Sequence, residues 1–104
     1  MTSDDAAARA ANERLATKRL RADINAILMR WDPLSLKGLR GFDRAYETAL
    51  NPLMILVKKD ADKMEIARKL AEFLRDEWRL PPNNAKCIEI ATKIHGLGAM
   101  YRGE

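Results

Sequence analysis

Cys87 and His95 are the only residues of their kinds in the chain, and that scarcity decides most of the chemistry open to it. A nucleophile–base dyad needs its two side chains within hydrogen-bond reach. The apolar pattern around them predicts a single helix, on which eight residues separate them by about 12 Å at 1.5 Å of rise per residue. A cysteine–histidine dyad is therefore excluded on that helix. Cys87 reads instead as a small apolar residue facing a core. His95, one residue before Gly96, reads as a side chain set against a helix C-terminus, where a partly charged imidazole is favoured. A single cysteine also forbids an intrachain disulfide.

Acidic residues offer one further possibility. Asp60, Asp62 and Glu65 are close enough in sequence to suggest a hard-metal site, but Lys58, Lys59 and Lys63 surround them, and the spacing lacks the glycine and alternating oxygen donors of a calcium loop. Asp62 is better placed as a helix cap, three residues before Glu65. Gly38 and Gly41 are too few for a phosphate loop, and no lysine–serine pair follows them. No cofactor and no metal is expected, and the reading is of a protein that is not an enzyme.

The charge balance is mild: 19 basic against 15 acidic residues, a net +4, with the two signs interspersed. The densest positive cluster is Arg14, Lys18, Arg19 and Arg21, where Arg14 and Lys18 lie one helical turn apart. Its plainer reading is a solvated helix face, because no aromatic residue stands there to stack on bases. Its functional reading is a set of phosphate contacts in a basic nucleic-acid-binding accessory protein. A helix-turn-helix reader is a poor fit to Arg79-Leu80-Pro81-Pro82-Asn83, a joint too stiff and too long. The helix after it presents Lys86, Glu89, Thr92 and Lys93, and Glu89 would meet phosphates unfavourably.

What would position these residues is a set of helices. Apolar residues make up 47% and charged residues 33% of 104 positions, ordinary globular proportions, and alanine, leucine, arginine, lysine and glutamate dominate over β-branched types. Four apolar stripes of helical period follow one another, and no period-two pattern appears. The first helix spans about Asp4 to Trp31, with Leu20, Ile24, Ile27, Leu28 and Trp31 on one face. Its alanine-rich first dozen residues are expected to be frayed or ordered by a partner. The second runs from about Asp43 to Val57 on the stripe Ala45, Tyr46, Ala49, Leu50, Leu53, Met54 and Val57, with a kink expected near Asn51 because Pro52 removes a backbone bond. The third, opened by Asp62, continues through Trp78 on the stripe Ile66, Leu70, Phe73, Leu74 and Trp78. Asn83 or Asn84 caps the fourth, which Gly96 is expected to end as a C′ residue. Trp31, Phe42, Tyr46, Phe73 and Trp78 read as core and rim packing.

Between the first two helices lies the most informative local motif, Trp31-Asp32-Pro33. Proline disfavours the α region for the residue before it, so Asp32 leaves the helix while Trp31 stays on the last turn. The Asp32 carboxylate is then placed to accept amides near Ser35 and Leu36, capping a new turn with Pro33 in its first position.

With these residues in view, the chain resembles a set of small bacterial helical domains of unknown function. The resemblance rests on Ile27-Leu28-x-x-Trp31-Asp32-Pro33-Leu34, on Tyr46-Glu47-Thr48 running into Pro52-Leu53 and Ile55-Leu56, and on Asp60-Ala61 before Glu65-Ile66-Ala67-Arg68-Lys69-Leu70. It covers residues 24 to 74. Ser35 replaces the family's glycine after W-D-P-x, and Ala49 its second aromatic. Some of its relatives look like immunity or antidote proteins that bind a toxin, so the resemblance implies a partner-binding module. On that basis Trp31, Asp32, Pro33, Tyr46 and Glu47 are the candidate partner-binding residues.

The expectation is then an all-α, compact four-helix bundle-like domain with a long N-terminal helix. Residues 1–12 form a flexible or partner-ordered extension, 13–96 the helical domain and 97–104 a loose tail. Two functions stay open, a non-catalytic protein-interaction module and the nucleic-acid accessory protein. Homodimerisation through the alanine-rich first helix is a further possibility. The acidic start, followed by alanines and arginines, does not resemble an export signal, and no stretch approaches the roughly 20 apolar residues of a membrane span, so no membrane association and a cytoplasmic location are expected.

Overall fold

The computed structural model describes residues 3–102. Among them stand four α-helices and no strand: α1 (Ser3–Trp31), α2 (Glu47–Lys58), α3 (Lys63–Glu72) and α4 (Asn84–Tyr101), with a 3-10 turn at Phe42–Arg44 and a π turn at Phe73–Glu77. The all-α, four-helix, bundle-like architecture follows from the apolar stripes. Leu20, Ile24 and Leu28 of α1 meet Leu50, Leu53, Met54 and Val57 of α2, Ile66 and Leu70 of α3, and Cys87, Ile90, Ala91 and Ile94 of α4 in one buried cluster. Helix α4 is the hub, packed on all three others. No helix of the described residues is long and apolar enough to cross a membrane.

Helix α1 is longer than the body it packs on. At 29 residues it extends about 43 Å, and its first buried position is Leu20. The projecting arm raises the radius of gyration to 15.3 Å, against about 13 Å for a compact chain of this length. The extension proposed for residues 1–12 is helical from Ser3 onwards, while Met1 and Thr2 lie outside the described residues.

How the helices end departs most from expectation. Three ends use a left-handed residue that is not glycine. Asp32 (φ 48°) closes α1, Asp60 (φ 59°) closes α2, and Arg79 (φ 54°) follows the π turn. At α1 the Asp32 amide donates to the Leu28 carbonyl at 2.8 Å, and the next residue, Pro33, has no N–H with which to extend the motif, so a single bond closes the helix. Asp32 thus leaves the helix as expected, but into the left-handed region. Pro33 and Leu34 form a turn and do not begin a new helix. At α2 the Asp60 amide donates to Val57 at 3.1 Å and the Ala61 amide to Leu56 at 2.9 Å, both bonds of a Schellman end. Ala61 is tucked into the core behind it.

Four further expectations are corrected. Helix α2 begins at Glu47, not Asp43; Tyr46 is its N-cap and Phe42–Arg44 a separate 3-10 turn, because the Tyr46 side chain is held under the preceding corner. Helix α2 also runs unbroken through Pro52. The carbonyl its ring disturbs, that of Thr48, lies in the first turn of the helix on an exposed residue, where water can take the lost bond. Helix α3 does not continue as an α-helix to Trp78 but widens at Phe73, with the Trp78 amide donating to the Phe73 carbonyl five residues back at 2.8 Å. One extra residue per turn rotates the following side chains by about 100°. Finally, α4 passes Gly96 and continues to Tyr101. Leu97 and Tyr101 pack against the core, so 97–101 is helix and not a loose tail; Gly103 and Glu104 lie outside the described residues. His95 therefore sits within the helix, exposed, with no helix end to cap.

Asp62 and Asn83 do cap as expected, accepting from the Glu65 amide at 2.9 Å and the Lys86 amide at 3.2 Å. Gly96 gives a direct test of the α4 boundary. Its φ is not positive and a Cβ there meets nothing, so Gly96→Ala is expected to stabilise the protein by about 0.5–1 kcal/mol in denaturant unfolding, the helix-propensity difference. A loss of stability would return Gly96 to a left-handed C′ position.

Candidate functional site

The corner after α1 is held by a closed polar network. Asp32 Oδ1 accepts from the Leu36 amide at 2.9 Å and from the Tyr46 hydroxyl at 2.6 Å, while Oδ2 accepts from the Lys37 amide at 2.9 Å. The expected capping partners were shifted by one residue. The Tyr46 hydroxyl in turn accepts from the Leu34 amide at 3.1 Å. One carboxylate and one hydroxyl thus satisfy three backbone donors of a ten-residue loop. The loop itself turns at Gly38 (φ 89°), where the Leu39 amide reaches the Leu36 carbonyl, a left-handed position that suits glycine.

The electrostatics follow from these bonds. Burial works against ionised Asp32, but the Tyr46 hydroxyl, the Leu36 and Lys37 amides and the Lys37 charge together hold its carboxyl below the ordinary 3.8. Burial, then the hydrogen bond to Asp32, push the Tyr46 hydroxyl from 10.0 up to about 12, against the smaller opposing effect of the Leu34 amide. The depressed Asp32 value adds stability that is present above its unfolded pKa and lost as pH falls through the folded one. The raised Tyr46 value adds stability that is complete below 10.0 and lost as pH rises towards about 12. The stability difference between wild type and Tyr46→Phe is expected to be flat across neutral pH and to shrink below about pH 4 as Asp32 protonates. Denaturant midpoints against pH measure this; a difference unchanged down to pH 2, roughly, would separate Asp32 from Tyr46.

Above this network the aromatic residues form a chain. Trp78 lies edge-on to Tyr46 (5.3 Å between centroids, 80°) and to Trp31 (6.3 Å, 77°), and stacks on Phe73 (5.6 Å, 28°). Tyr46 is fully buried and Trp78 nearly so. Trp31 is only half-buried, and it stands as a ridge between two surface grooves. One, of about 250 Å³, runs between α1 and α4 and is lined by Ala26, Ile27, Arg30, Trp31, Lys86, Ile90 and Lys93. The other, of about 260 Å³, is formed by Trp31 and Pro33 against Leu74, Leu80 and the Pro81-Pro82 joint.

This arrangement divides the predicted partner-binding residues. Trp31 and Pro33 reach the surface together. Asp32 holds the corner from within, and Tyr46, with no exposed surface, supports it from below and cannot touch a partner. Glu47 stands apart, in an ion pair with Arg21 at 3.4 Å whose members are both exposed. Sequence reasoning missed Arg30, and it weighed Lys86 and Lys93 only as part of a poorly fitting DNA-reading helix, not as the rim of a groove with Arg30. They become a set only once α1 is known to lie against α4.

The basic cluster fares differently. Arg14, Lys18 and Arg21 share an open shelf with Ala10, Glu13 and Thr17, all on α1. Arg19 faces another side, beside Asp23, Leu97, Met100 and Tyr101. Arg21 is already engaged, donating to Asn51 Oδ1 at 2.9 Å and pairing with Glu47. The four cations therefore do not form one phosphate-binding face. Cys87 and His95 both lie on α4, the thiol in the core, where burial raises its pKa, and the imidazole exposed, so they do not meet. Against known proteins, the chain matches no family model, no curated protein and no solved structure.

Proposed function

We propose that this chain is a non-catalytic protein-interaction module that binds through the face centred on Trp31. From the W-D-P resemblance comes the narrower reading, a bacterial antidote-like or immunity-like protein whose partner is the protein it holds in check. The observation that carries the proposal is Trp31 itself. A large aromatic side chain, braced from behind by Trp78 and by a corner pinned through Asp32 and Tyr46, is left half-exposed between two grooves. A rigid aromatic ridge flanked by apolar floor and charged rim is the usual anatomy of an interaction hot spot. Both grooves are smaller than the roughly 300–1,000 Å³ of a small-molecule pocket, which favours protein side chains as occupants.

A photo-crosslinking residue at exposed Ala26, on the lip of the α1–α4 groove, tests this in cells of the source organism, with the same residue at exposed Arg68 on α3 as control. The expected result is a discrete protein adduct from position 26 and none from 68. An adduct of nucleic acid, no adduct, or the same adducts from both positions would count against the reading.

A further inference from the structure

Resting on that reading, we infer that the α1–α4 groove accepts an acidic amphipathic helix of the partner, which lays an apolar side chain between Ile27, Trp31 and Ile90 and sets carboxylates against Arg30, Lys86 and Lys93. The floor of the groove is aliphatic, with Ile90 buried and Ile27 half-buried. Its rim is cationic on both banks. Arg30 stands on α1, and Lys86 and Lys93 stand two turns apart on α4. The acid on the same face of α4, Glu89, is bound to Lys86 at 3.0 Å and offsets one of the three cations, so the positive surplus of the rim is carried by Arg30 and Lys93. Apolar floor and cationic banks are the complement of a helix with apolar residues at i and i+4 and carboxylates on either side of them. A nucleic acid matches this groove less well. Bases stack on aromatic faces, and Trp31 is the only aromatic ring here. A second copy of a chain carrying a net +4 would bring like charge towards the same rim.

The test is a titration of isotope-labelled full-length protein with three synthetic helical peptides of one frame. Each carries leucine at i and i+4, flanked by glutamate, glutamine or lysine. Amide and indole shifts are followed by NMR. The glutamate peptide is expected to saturate shifts of the Trp31 indole and the Arg30 and Lys93 amides. Its affinity is expected to fall about tenfold or more in R30E/K93E, and comparably for the glutamine peptide or on raising salt. Both substituted positions are exposed, so circular dichroism should be unchanged. Equal binding of the glutamine peptide overturns the acidic partner while leaving an interaction face. Shifts at the groove from duplex DNA but not from the glutamate peptide overturn it in favour of phosphate. Shifts that grow with protein concentration alone overturn it in favour of a second copy. No shift from any peptide, alongside a protein crosslink at position 26, overturns the acidic helix but not the docking face.

Discussion

Trp78→Ala is expected to cost about 4 kcal/mol, the range for removing a large aromatic from a core. The ring is 8% exposed and touches three others: Tyr46 and Trp31 edge-on, Phe73 stacked. Each such pairing adds roughly 0.5–1.5 kcal/mol beyond burial, and the vacancy would lie between α1, the π turn and the polar corner. Net stability of a domain this size is of the order of 5–15 kcal/mol, so a large fraction is at stake. Thermal unfolding should fall by roughly 20 °C, taking about 5 °C per kcal/mol. The variant also leaves Trp31 as the sole tryptophan, so its emission maximum should move towards that of exposed indole as the bracing ring is lost. A change below about 1 kcal/mol would show that Trp78 fills space without organising it.

Tyr46→Phe is expected to cost about 2 kcal/mol with the ring volume intact. The lost hydroxyl is both the donor to Asp32 Oδ1 at 2.6 Å and the acceptor for the Leu34 amide at 3.1 Å. Removing it leaves a carboxylate short of one partner and an amide with none, and hydrogen bonds to charged groups are the stronger kind. Because no cavity forms, the loss isolates the polar network from packing, which Trp78→Ala does not. Chemical denaturation of the two variants measures both. In Tyr46→Phe the amide of Leu34 should also exchange faster with solvent than in wild type.

Much of this fold was legible in the sequence, because burial of a helix face demands a 3.6-residue apolar period whatever else the residues do. Leu20, Ile24 and Leu28, then Leu50, Leu53, Met54 and Val57, then Ile66 and Leu70 all fell on the stripes that the core uses. The caps at Asp62 and Asn83 were equally readable, since a side-chain acceptor four residues before the first buried member of a stripe, Ile66 and Cys87 here, stands where the orphan amides of a first turn need a partner. Helix ends were less so. Glycine is the expected left-handed residue, and Gly96 drew attention to itself, whereas the left-handed ends belong to Asp32, Asp60 and Arg79. Asp32 and Asp60 are held there by bonds of their own amides and Arg79 by the bond of the following Leu80 amide to the Leu74 carbonyl, and the non-glycine cost of about 1–2 kcal/mol is borne by the surrounding structure. The π turn at Phe73 left no trace, because its purpose is tertiary: it brings Trp78 onto Phe73.

The candidate site was half legible for a similar reason. Trp31, Asp32 and Pro33 stood out because a proline after a helix-ending acid has strong local consequences. That Tyr46 donates to Asp32 fourteen residues earlier is a long-range fact, and neither residue's type specifies the other. Arg30, Lys86 and Lys93 belong to two helices whose register only packing sets. Conversely, the basic run of Arg14, Lys18, Arg19 and Arg21 looked like one feature in sequence and is divided by helical rotation, with Arg19 about 140° from Arg14.

The corner that presents Trp31 is fixed by the bond between Asp32 and Tyr46. A double-mutant cycle with Asp32→Ala and Tyr46→Phe, read by equilibrium denaturation at neutral pH, measures that bond. The expected result is strong non-additivity: in the Asp32→Ala background Tyr46→Phe should cost well under its cost in wild type, because only the bond from the Leu34 amide, and not the charge-assisted one to the carboxylate, is left to lose. Two effects that simply add would contradict it: the corner would then be held by something other than this pair.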